Sequence, residues 1–179
     1  MSSTGIKNMG DEFETFICET TSAKSYGKDD PRGDAYYVHK GKTWNIEAKD
    51  NAQNQVRADK NALLIGRDKK TKMIYGAGNL TLLRTIVRGG PGGVFKSGQH
   101  TPDALTCMGM GKPNSKVAAK RGMRCYGKHI SDEDIENLIE ENENHPEIEQ
   151  FFKEHRQATL DFAQEWQKKA EELLEKIES

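Results

Sequence analysis

Cysteine is scarce in this chain, with three in 179 residues. So sparse and odd a count excludes a disulfide framework and predicts reduced thiols in a cytoplasmic setting. Long apolar runs are missing too. None approaches the ~20 residues of a membrane span, and Met1-Ser2-Ser3-Thr4-Gly5 lacks the apolar stretch of a signal peptide. No internal repeat is visible. Neither Gly89-Gly90-Pro91-Gly92-Gly93 nor Gly109-Met110-Gly111-Lys112-Pro113 carries the Gly-Lys-Ser/Thr ending of a phosphate loop, which excludes nucleotide hydrolysis of that kind. There is no Cys-x-x-Cys pair. The spacings of His100, Cys107, Cys125 and His129 match no zinc knuckle, so zinc is not expected. No nucleophile signature surrounds any cysteine.

What is present begins at Asp34. Gly33-Asp34-Ala35-Tyr36-Tyr37-Val38-His39 and Thr43-Trp44-Asn45-Ile46-Glu47-Ala48-Lys49 are rich in β-branched and aromatic residues, and Lys40-Gly41-Lys42 separates them. This predicts a hairpin. Side chains alternate along a strand, so Glu47 and Lys49 share one face while Ile46 and Ala48 take the other. Asp34 starts the first arm and is expected beside them. Two carboxylates and an amine at one sheet edge suit Mg²⁺, which takes one or two protein carboxylates, several waters and substrate phosphates. Asp34 and Glu47 are the expected metal ligands, and Lys49 the charge that orients water or stabilises the transition state.

Asp34…Glu47-Ala48-Lys49 resembles the signature of the PD-(D/E)xK nuclease superfamily, which includes type II restriction enzymes, junction resolvases and repair nucleases. Gly33 stands where that signature has proline. A first helix contributing a further glutamate, in a Gly-x-x-Phe-Glu pattern, is also similar to Gly10-Asp11-Glu12-Phe13-Glu14. The resemblance covers about residues 10–88 and implies Glu14 as a fourth acidic group, with Glu12 and Glu19 as rivals. It implies Mg²⁺, with Mn²⁺ substituting, and support from a polar group such as Gln53 or Gln55. A prokaryotic or phage-encoded setting is implied as well.

Helical spacing of Phe13, Phe16, Ile17 and Thr20 predicts a first helix over 10–24. Ala52, Val56, Ala58, Ala62, Leu63 and Ile65 predict a helix ending at Gly66. Residues 72–76 and 80–87 are expected as strands, and Arg88 to Gly93 as a break.

Net charge is −1 but unevenly distributed. Residues 1–130 hold 22 Lys or Arg against 12 Asp or Glu, and residues 131–179 hold 5 against 16. Such asymmetry points to a nucleic-acid partner. Arg84, Arg88, Lys96, Lys112, Lys116, Lys120, Arg121, Arg124 and Lys128 are the expected phosphate contacts, with binding that weakens steeply as salt rises. Residues 89–130 are expected as a basic, DNA-contacting segment beside a nuclease core at 1–88. Residues 131–179 are expected as an acidic helical region that covers the core or forms a homodimer interface. Ser131 caps its first helix to about Asn144, and Pro146 starts a longer helix to about Ile177.

The expected architecture is α/β: a restriction-endonuclease-like core with a mixed central sheet flanked by helices, plus a helical C-terminal region. The expected activity is metal-dependent cleavage of double-stranded or branched DNA. Sequence-specific restriction-like cutting leads, and a junction resolvase or phage repair nuclease is second. The rival from another class is a non-catalytic DNA-binding protein on the same scaffold. RNA stays open as a substrate.

Overall fold

The computed structural model describes residues 4–27, 30–50, 61–68, 70–94, 124–154 and 163–179. Its elements are α1 (Thr4–Thr20), β1 (Lys24–Ser25), β2 (Ala35–His39), β3 (Lys42–Asp50), β4 (Ala62–Arg67), β5 (Ile74–Gly78), α2 (Asn79–Val94), β6 (Arg124–Gly127), α3 (Asp132–Asn142), α4 (Pro146–Glu154) and α5 (Ala163–Glu178). The chain is α/β. Its six strands form one open mixed sheet in sequence order, antiparallel except for β3 and β4, which run parallel. Among the described residues no helix is long and apolar enough to cross a membrane.

The β2–β3 hairpin closes on two residues, with His39 opposite Lys42. Lys40 and Gly41 both have positive φ, 50° and 77°. A tight turn of that kind follows the right-handed twist of its strands. Odd positions of β2 and even positions of β3 point to one face, where Ala35, Tyr37, Trp44, Ile46 and Ala48 are buried with Phe13 and Ile17 of α1 and Ile135, Leu138 and Ile139 of α3. The second face is covered over β4 and β5. There Leu64, Tyr75 and Ala77 pack against Leu80 and Leu83 of α2, Phe151 and Phe152 of α4, and Trp166 and Ala170 of α5.

Two expected elements change type. Residues 62–67, expected at the end of a helix, are strand β4. Leu63, Leu64 and Ile65 are all buried, because β4 is covered on both faces. A continuous apolar run of that kind cannot be told from a buried helix by periodicity. Residues 80–87, expected as a strand, lie in α2. The β-branched content of Leu80 to Val87 favours a strand only weakly, and long-range capping overrides it. Asn142 Oδ1 accepts from Leu80 N at 2.9 Å and Thr81 N at 3.3 Å, while its Nδ2 donates to Leu138 O at 2.9 Å. Asn142 of α3 thus satisfies orphan amides at the N-terminus of α2. Gly78 makes room for it, since a Cβ there would lie 2.7 Å from Asn142 Cβ.

The expected break after Arg88 is also absent, and α2 continues to Val94. Proline has no amide hydrogen, so Pro91 leaves the carbonyl four residues earlier without its helical donor. That carbonyl belongs to Val87, and it accepts instead from Gln167 Nε2 of α5 at 2.6 Å. Gln167→Ala is expected to cost about 1–3 kcal/mol, the penalty of an unsatisfied buried acceptor. Urea denaturation measures it, and an unchanged midpoint would remove this explanation.

The expected boundary at residue 88 falls inside α2, and Arg124–Gly127 of the expected DNA-contacting segment closes the sheet as β6. Ser131 caps α3 in a reciprocal capping box with Asp134. The single helix expected from Pro146 to about Ile177 is not straight and continuous. The rings of Phe151 and Trp166 stack with centroids 6.0 Å apart, whereas fifteen residues of helix would separate them by about 22 Å. The chain doubles back so that both rings fill one cluster above β4 and β5.

Candidate active site

Asp34 sits one residue before β2, where its backbone joins β3. Asp34 N donates to Ile46 O at 3.0 Å, and Ala48 N donates to Asp34 Oδ2 at 2.8 Å. The register Ala35 to Ile46 sets Asp34 level with Glu47. Lys49 Nζ lies 3.3 Å from Glu47 Oε1. The structure therefore brings Asp34, Glu47 and Lys49 together on the second sheet face, outside the cluster formed there by α2, α4 and α5. Gly33 is part of this geometry. Its φ is +136°, and a Cβ would lie 3.0 Å from Ile46 O and 3.7 Å from Glu47 Oε2. A side chain there would press on the strand that carries Glu47.

Burial raises the Glu47 pKa above its ordinary 4.5, the Asp34 carboxylate raises it further, and Lys49 partly offsets both. The acid thus holds its proton more tightly folded than unfolded. Stability should fall as pH rises from the ordinary value through the raised one, because the ionised form is the disfavoured one. A divalent cation would reverse the sign of the local field. Mg²⁺ affinity is expected to rise with pH across this titration, and bound Mg²⁺ to pull the Glu47 carboxyl downward. Carbon-13 NMR of the carboxyl, with and without Mg²⁺, reads both, and a titration that Mg²⁺ leaves in place would argue against a metal site.

The donor set fits a hard cation. Asp34 uses one oxygen on the Ala48 amide, which leaves the other, and the half-buried Glu47 carries a repulsion toward Asp34 that Lys49 offsets only in part. Among the described residues no group of three or more His, Cys, Asp or Glu side chains is arranged to hold a metal. A two-carboxylate site completed by water and phosphate matches Mg²⁺ rather than a closed protein cage.

Glu14 on α1 accepts from Ser25 Oγ at 2.6 Å. Ser25 pairs with Ala35, which is buried on the α1 face, while Asp34, Glu47 and Lys49 face the other way. Glu12 and Glu19 are exposed. Gln53 and Gln55 lie outside the described residues, as do Lys96, Lys112, Lys116, Lys120, Arg121, His100 and Cys107. Cys125 and His129 are exposed.

Three of the expected phosphate contacts are engaged with the acidic C-terminal region. Arg84 Nη1 lies 2.6 Å from Glu141 Oε1 and Arg84 Nη2 3.9 Å from Glu178 Oε2. Arg88 Nη2 is 3.8 Å from Glu178 Oε1, and Arg124 Nε is 2.8 Å from Glu141 Oε2. Arg84 and Glu141 are mostly buried, at 18% and 13% side-chain exposure, so this pair ties α2 to α3. Lys128 is exposed.

Sequence reasoning missed two features. Asp50, directly after Lys49, binds Arg67 through Nε at 3.1 Å and Nη2 at 2.9 Å, and Arg67 covers the Phe13 ring at 4.6 Å. This pair holds the end of β3 to β4 and to α1. No local pattern announces it, since the partners are seventeen residues apart. The second feature is a column of Arg32, Tyr26 and Tyr36 beside Asp34.

Comparison with known proteins finds no family model, no curated protein and no solved structure that matches the chain.

Proposed function

We propose that this chain is a Mg²⁺-dependent DNA endonuclease of the PD-(D/E)xK type. The observation that carries this reading is the convergence of Asp34, Glu47 and Lys49 on one face of the sheet. A bound Mg²⁺ would supply Lewis-acid polarisation of the phosphoryl oxygen and an activated water.

The residues of the chain do the rest. Asp34 and Glu47 would hold the cation, and the Ala48 amide fixes the orientation of Asp34. Lys49, drawn toward Glu47, places a positive charge where negative charge builds on the phosphate, and it orients the attacking water. The phosphorus–oxygen bond to the leaving strand breaks as the water oxygen attaches.

Restriction-like cutting of duplex DNA by a homodimer is one form of this reading. A structure-specific nuclease is the second, favoured by the stacking column beside Asp34. Digestion of plasmid and phage DNA with Mg²⁺, Mn²⁺ or EDTA tests the class. Discrete metal-dependent bands support a sequence-specific enzyme. Failure to cut any duplex, branched or single-stranded DNA would leave the non-catalytic DNA-binding reading.

A further inference from the structure

Tyr26, Tyr36 and Arg32 form a column on the face that carries Asp34. The two tyrosine rings lie 4.6 Å apart between centroids, inclined by 33°. Arg32 Cζ stands 4.1 Å from the Tyr26 centroid. Tyr26 and Arg32 are fixed by hydrogen bonds. Tyr26 O–H donates to Asn45 Oδ1 on β3, and Tyr26 N donates to Asp34 O at 3.0 Å. Asp30 grips Arg32 in the plane of its guanidinium, with Nε to Oδ1 at 3.0 Å and Nη2 to Oδ2 at 2.8 Å, and it accepts from the Arg32 amide at 2.9 Å. This pairing holds the Asp30 acid down at about 2. Asp30 is therefore ionised opposite Arg32 across the working pH range.

Such a guanidinium is poorly suited to a phosphate. Its charge is already matched, and two of its nitrogens are committed to Asp30. What remains is a flat surface. One side of Arg32 lies on Tyr26, and the side chain is 61% exposed. Guanidinium planes and tyrosine rings stack on nucleobases. The column stands beside Asp34, because the Tyr26 amide binds the Asp34 carbonyl across one strand spacing of about 4.8 Å.

We propose that Arg32, Tyr26 and Tyr36 form a stacking subsite for an unpaired DNA base next to the scissile phosphate. Bases inside an intact duplex stack on one another and cannot reach such a surface. The preferred substrate is therefore a branched, frayed or single-stranded site. This inference rests on the nuclease reading for the position of the phosphate, although its binding test does not need catalysis.

The test is binding in EDTA to a single strand containing 2-aminopurine, to a splayed fork and to a blunt duplex of the same sequence. Wild-type protein is compared with Arg32→Ala and Arg32→Lys. The wild type should prefer the unpaired substrates and quench 2-aminopurine. Both variants should lose about 5- to 100-fold in affinity for the unpaired substrates, the size of one stacked base, with duplex binding unchanged. Arg32→Lys keeps the charge but not the plane, so full rescue by lysine would overturn the stacking assignment. Equal or tighter duplex binding by the wild type, or no binding to any substrate, would overturn it too. Cleavage with Mg²⁺ is scored separately. Stacking with no cleavage would sink the nuclease reading alone, and fork cleavage that Arg32→Ala leaves at the wild-type rate would sink the stacking subsite alone.

Discussion

Lys49→Ala is expected to lower Mg²⁺-dependent cleavage by about 10²–10³-fold, the loss typical of removing one preorganised charge from a transition state. The ammonium lies 3.3 Å from Glu47 and is half-exposed, so the protein should keep its fold. Its ground-state affinity for DNA should also hold, because a single lysine among many basic residues contributes little to total phosphate binding. A second effect has the opposite sign at Glu47. Removing Lys49 takes away the one neighbour that lowers the Glu47 acid, so the carboxyl should titrate higher still and the metal dependence should shift to higher pH. Single-turnover cleavage across pH, beside circular dichroism, separates these effects. Full cleavage by Lys49→Ala would remove Lys49 from the site and leave its pairing with Glu47 as a surface ion pair.

The largest expected loss of stability comes from Asp50→Ala. Asp50 and Arg67 side chains are 8% and 15% exposed. Deleting the carboxylate leaves a guanidinium buried without its partner, at a cost of about 3–5 kcal/mol. For a chain of this size that corresponds to a fall of roughly 6–20 °C in Tm. Replacing both residues, as Asp50→Leu with Arg67→Met, should cost much less, because it removes the stranded charge together with its desolvation penalty. The double-mutant comparison decides the point. If the double variant is no better than the single one, the loss lies in packing against Phe13 rather than in the charge. Asp50 follows Lys49 directly, so the single variant should also loosen the end of β3 and reduce cleavage by whatever protein remains folded.

The acidic C-terminal helices take up part of the basic charge. Arg84, Arg88 and Arg124 each face Glu141 or Glu178. Arg84 and Glu141 act as an internal strut, and of the three arginines Arg88 and Arg124 are the more exposed. Charge asymmetry along a chain thus has two outlets, a nucleic-acid partner and the chain's own opposite end, and part of it here is spent internally.

Local chemistry made much of the site legible in the sequence. A period of two along a strand, together with a short turn at Lys40-Gly41-Lys42, already places Glu47 and Lys49 on one face and Asp34 at the mouth of the same hairpin. Phe13 and Ile17 mark the buried stripe of α1, and Ser131 with Asp134 marks the start of α3. These are interactions between residues close in sequence, where the geometry of the backbone leaves few alternatives. Tertiary structure decided the rest. Leu63 to Ile65 form a strand because layers cover both of its faces. Leu80 to Val87 are helical because Asn142 caps them from α3, and α2 passes Pro91 because Gln167 from α5 serves the Val87 carbonyl. The Asp50–Arg67 pair and the Arg32–Tyr26–Tyr36 column arise only where strands meet. Each of these depends on a donor, an acceptor or a ring supplied by another part of the fold, and no window of sequence contains both partners in a recognisable spacing.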